Sequence, residues 1–293
     1  MPLISPIPAA FMSQIKSILT ETRLFAPSTL FTETANRKPD DITALRQEAA
    51  TDYQAFWARQ ARENLHWHTP FTQTLDDSQA PNYRWFTDGQ INISYNCLDR
   101  HLSNLGDKTA IIFEGEQGDC TTLTYRDLHA KVCQFANVLK AQGITAGDRV
   151  VIYMPMIPEA VIAMQACARI GATHSVVFGG FSAESLKDRI EDAGAKLLIT
   201  ADGGYRGGSV VPLKVTADKA LANGCASITG VIVYQRTQSA VTMQTGRDLW
   251  WHEVVATQSS ECPAVPLTAE HPLFLLYTSG STGKPKGIQH STG

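Results

Sequence analysis

Arg149–Val–Val–Ile–Tyr–Met–Pro–Met–Ile–Pro–Glu–Ala–Val–Ile–Ala–Met–Gln–Ala–Cys–Ala–Arg–Ile–Gly–Ala–Thr–His–Ser–Val–Val–Phe178 reads as strand, helix, strand. The run Arg149–Met154 is short, apolar and β-branched. Pro158 has the fixed φ that suits a first helical turn, the mostly apolar stretch 159–170 follows, and Gly171 suits the stop. His174–Phe178 is again short and apolar. Such units imply parallel strands joined by a helix. Strands without polar alternation imply a sheet covered on both faces.

The rhythm extends outward. Ser182 is placed to cap a helix ending near Gly194, and Lys196–Thr200 and Gly230–Tyr234 read as further strands. Upstream, Ala110–Phe113 reads as a strand. Thr124 with Asp127 three residues on predicts a capping box for a helix running to about Gly143. The fold class is therefore α/β, with parallel-sheet layers flanked by helices. Residues 236–270 read as a polar connector apart from Trp250–Trp251. Nearer the N-terminus, Asp40 and Asp41 predict the acidic start of a helix from Ile42 to Arg62. The segment with Trp67, Pro70, Pro81 and Trp85 reads as an irregular arm, its tryptophans and Trp57 serving as packing anchors.

In open α/β sheets ligands bind at the carboxyl ends of strands. Two loops stand there: Phe178–Gly179–Gly180–Phe181–Ser182, and Asp202–Gly203–Gly204–Tyr205–Arg206–Gly207–Gly208–Ser209. Both offer backbone donors without side-chain bulk. Arg206 adds a planar cation suited to phosphate or to stacking on a purine. Taken alone, each loop reads equally as a tight turn.

A third loop follows the apolar run Leu273–Tyr277. Thr278–Ser279–Gly280–Ser281–Thr282–Gly283–Lys284–Pro285–Lys286–Gly287 crowds glycines, hydroxyls and two lysines together, the chemistry of a phosphate-wrapping loop. The P-loop motif G-x-x-x-x-G-K-[ST] does not fit, because Thr278 stands where the first glycine belongs and Pro285 where Ser/Thr belongs. The G-x-G-x-x-G pattern fails too, with glycines at 280, 283 and 287.

The chain has 293 residues, a formal net charge of −3 and 18% charged residues. No basic face for nucleic acid is implied. No apolar run is long enough for a membrane helix. Six cysteines without a C-x-x-C pair suggest neither a disulfide framework nor a zinc site, and a cytoplasmic location is expected. Cys167 and His174 lie in apolar contexts and are expected to pack rather than react. Pro6 and Pro8 break the apolar start, so a signal peptide is not expected, and Met12 is the expected true start.

Residues 278–287 resemble the phosphate-binding signature of the adenylate-forming superfamily. Longer runs sharpen the likeness: Trp85–Phe86, Asn92–Leu102, Tyr153–Ala160, Ala166–Gly171, His174–Ser182, Ile199–Asp202, Arg247–His252 and His271–Gly280 resemble the AMP-forming acetyl-CoA synthetase family. The likeness runs from about Tyr53 to Gly293. It implies a ligase that joins acetate and ATP into acetyl-AMP and pyrophosphate, after which CoA takes the acetyl group and AMP leaves. It implies that Thr278, Ser279, Gly280, Ser281, Thr282, Gly283, Lys284 and Lys286 hold the ATP phosphates, with Mg²⁺ sharing the charge. It further implies that Phe178, Gly179, Gly180, Arg206, Gly207, Gly208 and Ser209 hold the nucleotide end of CoA.

The implied organisation is a partly disordered tail over 1–39, an N-terminal extension over 40–97, and an AMP-binding large domain over 98–293, incomplete at its C-terminus. The resemblance places the family's mobile C-terminal domain and its catalytic lysine outside residues 1–293, so no catalytic residue or metal ligand is expected to be assignable among them. The chain alone is expected to be an N-terminal fragment without turnover. The family usually carries Arg-Gly-Gly-Arg, and here Ser209 takes the second arginine's place. A weaker hold on CoA, by ~1.5–3 kcal/mol, is expected. Two other functions remain open at the sequence level: a propionyl-CoA or other short-chain acyl-CoA synthetase, and a non-catalytic nucleotide- or CoA-binding fragment.

Overall fold

The computed structural model describes residues 24–222, 224–278 and 285–293. Its largest sheet has seven strands: β1 (Arg149–Tyr153), β2 (Thr173–Val176), β3 (Leu197–Ala201), β4 (Gly230–Tyr234), β5 (Asp248–Trp250), β6 (Pro272–Thr278) and β7 (Lys286–Ser291). Their spatial order is β5-β4-β3-β1-β2-β6-β7. All neighbours run parallel except β6 and β7.

Five helices flank this sheet: α1 (Tyr125–Ala141), α2 (Pro158–Ile170), α3 (Ala183–Ala193), α4 (Leu213–Ala222) and α5 (Trp251–Ala256). Strand side chains alternate between faces, and the core divides accordingly. Val150, Ile152, Leu197, Ile199 and Ile232 pack with α1, α2 and Trp251. Val151, Tyr153, Leu198, Val231 and Val233 pack with α3 and α4. Phe135 and Trp251 stack at 3.7 Å between ring centroids. Burial on both faces is why these strands carry no polar alternation.

The local signals hold. Thr124 and Asp127 form the reciprocal capping box. Gly171 and Gly194 end α2 and α3 at positive φ, 80° and 57°, and Ser182 caps α3.

Four expectations need correction. The strand at Ala110–Phe113 spans Thr109–Glu114 and lies outside the parallel sheet, paired antiparallel with Cys120–Thr124. The connector 236–270 contains β5 and α5, whose signal was short and rested on two adjacent tryptophans. The helix expected from Ile42 to Arg62 is two helices, Pro39–Thr51 and Tyr53–Asn64. Asp52 breaks it by leaving helical dihedrals, and its carboxylate accepts from Ala55 N at 2.9 Å, as an N-cap does. Trp67 anchors the arm, packing edge-on against Phe71 and Phe86, whereas Trp57 is 42% exposed.

The chain divides into two compact units, Met1–Phe56 and Trp57–Gly293. Within the first, the described residues form the helices Thr29–Thr34 and Pro39–Thr51 and the start of Tyr53–Asn64. Tail residues 1–23, including Met12, lie outside the described residues.

Within the second unit Asp99, which follows the arm, is tied to α2 through Arg169. This guanidinium is 2% exposed and meets both oxygens of Asp99 at 2.7 Å. His129 Nε2 lies 3.2 Å from Asp99 and 3.4 Å from Arg169. Against the opposing effect of burial, hydrogen bonds from Arg169 and His129 hold the Asp99 carboxyl well below the usual carboxylate range. The hydrogen bond to Asp99, followed by that to Cys133, raises the His129 imidazole to about 9. A group whose pKa rises on folding stabilises the fold below its unfolded pKa, and that contribution disappears as pH climbs through the folded value. Stability should therefore fall between about pH 6.5 and about pH 9. His129→Gln should flatten this slope in melting curves taken across the range; an unchanged slope would remove His129 as its source.

Candidate functional site

β1 has β2 on one side and β3 on the other, so the chain reverses its winding at this strand. A crevice must open there, outside the carboxyl ends. It holds a cleft of about 310 Å³. Its floor is Met154, Pro155 and Ile157 after β1, one wall is Phe178–Gly180 after β2, and the other is Gly204–Arg206 after β3.

The loop after β2 is set by Tyr153, whose hydroxyl donates to Phe181 O at 2.8 Å. A Cβ built on Gly180 would lie 2.6 Å from both Arg206 Nη1 and Phe178 Cε1. Only glycine lets the Arg206 guanidinium settle over the Phe178 ring, 4.8 Å from its centroid. Among the described residues Arg206 has no ion-pair partner.

The predicted loop after β3 is a β-hairpin, a correction to the sequence reading. Gly204–Arg206 pairs antiparallel with Ser209–Val211, and Arg206 stands opposite Ser209. Gly207 and Gly208 make the two-residue turn with φ of 58° and 75°. Two left-handed residues match the twist of a tight hairpin, which is why glycines sit there. Their amides point to one place: Gly207 N donates to Glu116 Oε1 at 3.0 Å and Gly208 N to Oε2 at 3.3 Å.

Asp202 anchors the hairpin wall. It is fully buried, and its carboxylate accepts from the backbone amides of Gly203, Arg236, Thr237 and Ser239 at 2.7–3.0 Å. That anchor ties the loop after β4 to the hairpin and sets Arg236 in the cleft. The Arg236 guanidinium lies 5.5 Å from the Phe113 centroid and 5.4 Å from that of Tyr205, and meets Asp119 at 2.7 and 3.0 Å. The hydrogen bond from Arg236 lowers the Asp119 carboxyl below its usual range.

The structure thus brings Phe178, Gly179, Gly180 and Arg206 to one cleft, with the Gly207–Gly208 turn and Ser209 on its hairpin. Sequence reading missed Phe113, Glu116, Asp119 and Arg236. None lies in a motif, and only the fold gathers them. Thr278 and Lys286 are register partners at the ends of β6 and β7. Thr278 shares the carboxyl edge of the sheet but does not line this cleft. Ser279, Gly280, Ser281, Thr282, Gly283 and Lys284 lie outside the described residues. Cys167 is fully buried, which pushes its thiol well up, and burial lowers His174 to about 4. Both pack, as their apolar contexts suggest.

A side chain at Gly208 meets open space, so substitution there reports backbone strain alone. Gly208→Val should destabilise the chain by ~1–2 kcal/mol in urea unfolding, and Gly208→Asn by less, since Asn visits the left-handed region more readily. Equal losses would show that the turn does not need its positive φ.

Comparison with known proteins bears on the whole chain. The model of the AMP-binding enzyme family matches residues 98–293, and that of the acetyl-coenzyme A synthetase N-terminus matches residues 42–97. An acetyl-coenzyme A synthetase of Thiobacillus denitrificans is 60% identical over 284 residues, covering 96% of this chain and 43% of that protein. One of Methylobacillus flagellatus is 58% identical over 284 residues, and one of Nitrosomonas europaea 57% over 283, with the same coverage. The chain therefore spans less than half the length of these curated relatives. With a parallel sheet whose switch point opens on a glycine-walled, arginine-bearing cleft, and a family match over two thirds of its length, the chain belongs to the AMP-binding enzyme family.

Proposed function

We propose that this chain supplies the CoA cleft and the phosphate loop of a ligase that forms acetyl-CoA from acetate, ATP and CoA. An acetate oxygen attacks the α-phosphorus and pyrophosphate leaves. The CoA sulfur then attacks the acetyl carbon of acetyl-AMP and AMP leaves. The observation that carries the reading is the meeting of Phe178, Gly179, Gly180 and Arg206 at the switch-point cleft. It is supported by relatives named acetyl-coenzyme A synthetase.

In this reading Phe178, Gly179, Gly180, Arg206, Gly207, Gly208 and Ser209 hold the nucleotide end of CoA. Thr278, Ser279, Gly280, Ser281, Thr282, Gly283, Lys284 and Lys286 orient and neutralise the triphosphate. Residues 40–97 form an N-terminal extension and 98–293 the start of the large domain. Among the described residues no group of three His, Cys, Asp or Glu could hold a metal ion. In this reading Mg²⁺ enters as the counter-ion of ATP and is assigned to no residue of this chain. No described helix is long and apolar enough to cross a membrane. We assign the protein to the cytoplasm on its six unpaired cysteines.

The test is ATP–pyrophosphate exchange by this chain joined to the remaining length of the Thiobacillus denitrificans relative. Exchange should appear with acetate and run slower with propionate. A cooperatively folded chimaera that exchanges with neither, or faster with propionate, overturns the assignment. In the same chimaera Ser209→Arg should lower the KM for CoA by about tenfold to a hundredfold, the equivalent of one charge-assisted contact of ~1.5–3 kcal/mol. An unchanged KM would show that position 209 does not touch the ligand.

A further inference from the structure

The cleft and the turn of its hairpin carry three groups able to receive an anion: the Arg206 guanidinium and the Arg236 guanidinium in the cleft, and the paired amides of Gly207 and Gly208 in the turn. Arg206 alone is open. The other two are held by carboxylates of a single short segment, the turn Gly115–Asp119 that joins Thr109–Glu114 to Cys120–Thr124. Glu116 takes both amides, at 3.0 and 3.3 Å, and Asp119 takes Arg236, at 2.7 and 3.0 Å. Two carboxylates three residues apart thus sit where oxyanions of a ligand would sit.

We propose that Glu116 is a displaceable plug: it occupies the amide pair of the Gly207–Gly208 turn and lowers the affinity of the cleft for a phosphorylated nucleotide, which must replace it. The inference rests on the reading of this cleft as the seat of the CoA nucleotide.

Three observations carry it. Successive amides of a left-handed glycine turn converging on one carboxylate are an anion nest already filled. The contact joins exposed loops 91 and 92 residues apart, with solvent ready to take over either side. An exposed contact of this kind contributes little to the fold and yields easily. Finally, Gly115 and Glu116 line the same cleft as Arg206, so a phosphate drawn to the open guanidinium arrives beside the plug. A phosphate carries more charge and more acceptor oxygens than a carboxylate and wins the exchange. While Glu116 is seated, the apparent affinity is reduced by the fraction of molecules with the nest vacant.

The test is calorimetric titration of the 293-residue chain with CoA, adenosine 3′,5′-bisphosphate and, as a phosphate-free control, pantetheine. Glu116→Gln keeps the shape and removes the charge. Glu116→Ser serves as a second variant, and thermal melts check that each stays folded. The expected result is CoA and the bisphosphate binding about three- to tenfold tighter to both variants, with pantetheine unchanged. Equal or weaker binding of the phosphorylated ligands overturns the plug while leaving the cleft assignment standing. Tightening of pantetheine to the same degree overturns it too, since charge competition would then not be the cause. Failure of both phosphorylated ligands to bind any form overturns the cleft assignment and the plug together.

Discussion

β1 has no free edge and no free face. It is hydrogen-bonded to β2 and β3 in parallel and covered by helices on both sides, with Val150, Val151 and Ile152 all at 0% exposure. A parallel neighbour on each side cannot be reached by a tight turn, so the chain must cross over a face each time it returns. α2 crosses on one face, α3 and α4 lie on the other, and the connections diverge at β1. That divergence leaves the carboxyl end of the strand uncovered. The cleft is therefore a consequence of how the central strand is buried, and the loops that line it are free to carry ligand chemistry.

A crevice becomes a site only when its walls are held. Asp202 holds the hairpin wall with a fully buried carboxylate that takes four backbone amides. Leaving such a charge without partners inside the fold would be costly. The loop after β4 is accordingly drawn to the hairpin after β3, and Arg236 and Tyr205 end up face to face. The glycines act at shorter range. Gly180 removes the atom that would separate Arg206 from Phe178, and Gly207 and Gly208 turn two amides toward one point.

The parts legible in the sequence are those fixed by local chemistry. The βαβ pattern around β1, the αL stops at Gly171 and Gly194 and the box at Thr124 each depend on residues a few positions apart. The loops after β2 and β3 were legible because strand ends in such sheets are where ligands go. What was not legible depends on distance in sequence. Glu116 reaches the Gly207 turn across 91 residues, and Asp119 reaches Arg236 across 117. β5 was hidden because a three-residue strand carries no period, and the split at Asp52 because one carboxylate outweighed a continuous apolar pattern.

The geometry of the sheet edge also constrains the proposed two-step reaction. The cleft centres on β1, while the phosphate segment leaves from Thr278 at the end of β6, two strands along. Neighbouring strands are about 4.8 Å apart, so the two places are separated by roughly 10 Å along one edge. In the proposed reaction the nucleotide of CoA is fixed at Arg206 while acetyl-AMP is held toward β6, so the thiol must cover that separation. A long, flexible thiol-bearing arm can, provided it lies along the edge past β2. CoA has that form: an anionic nucleotide for the switch-point cleft and an extended arm to carry sulfur away from it.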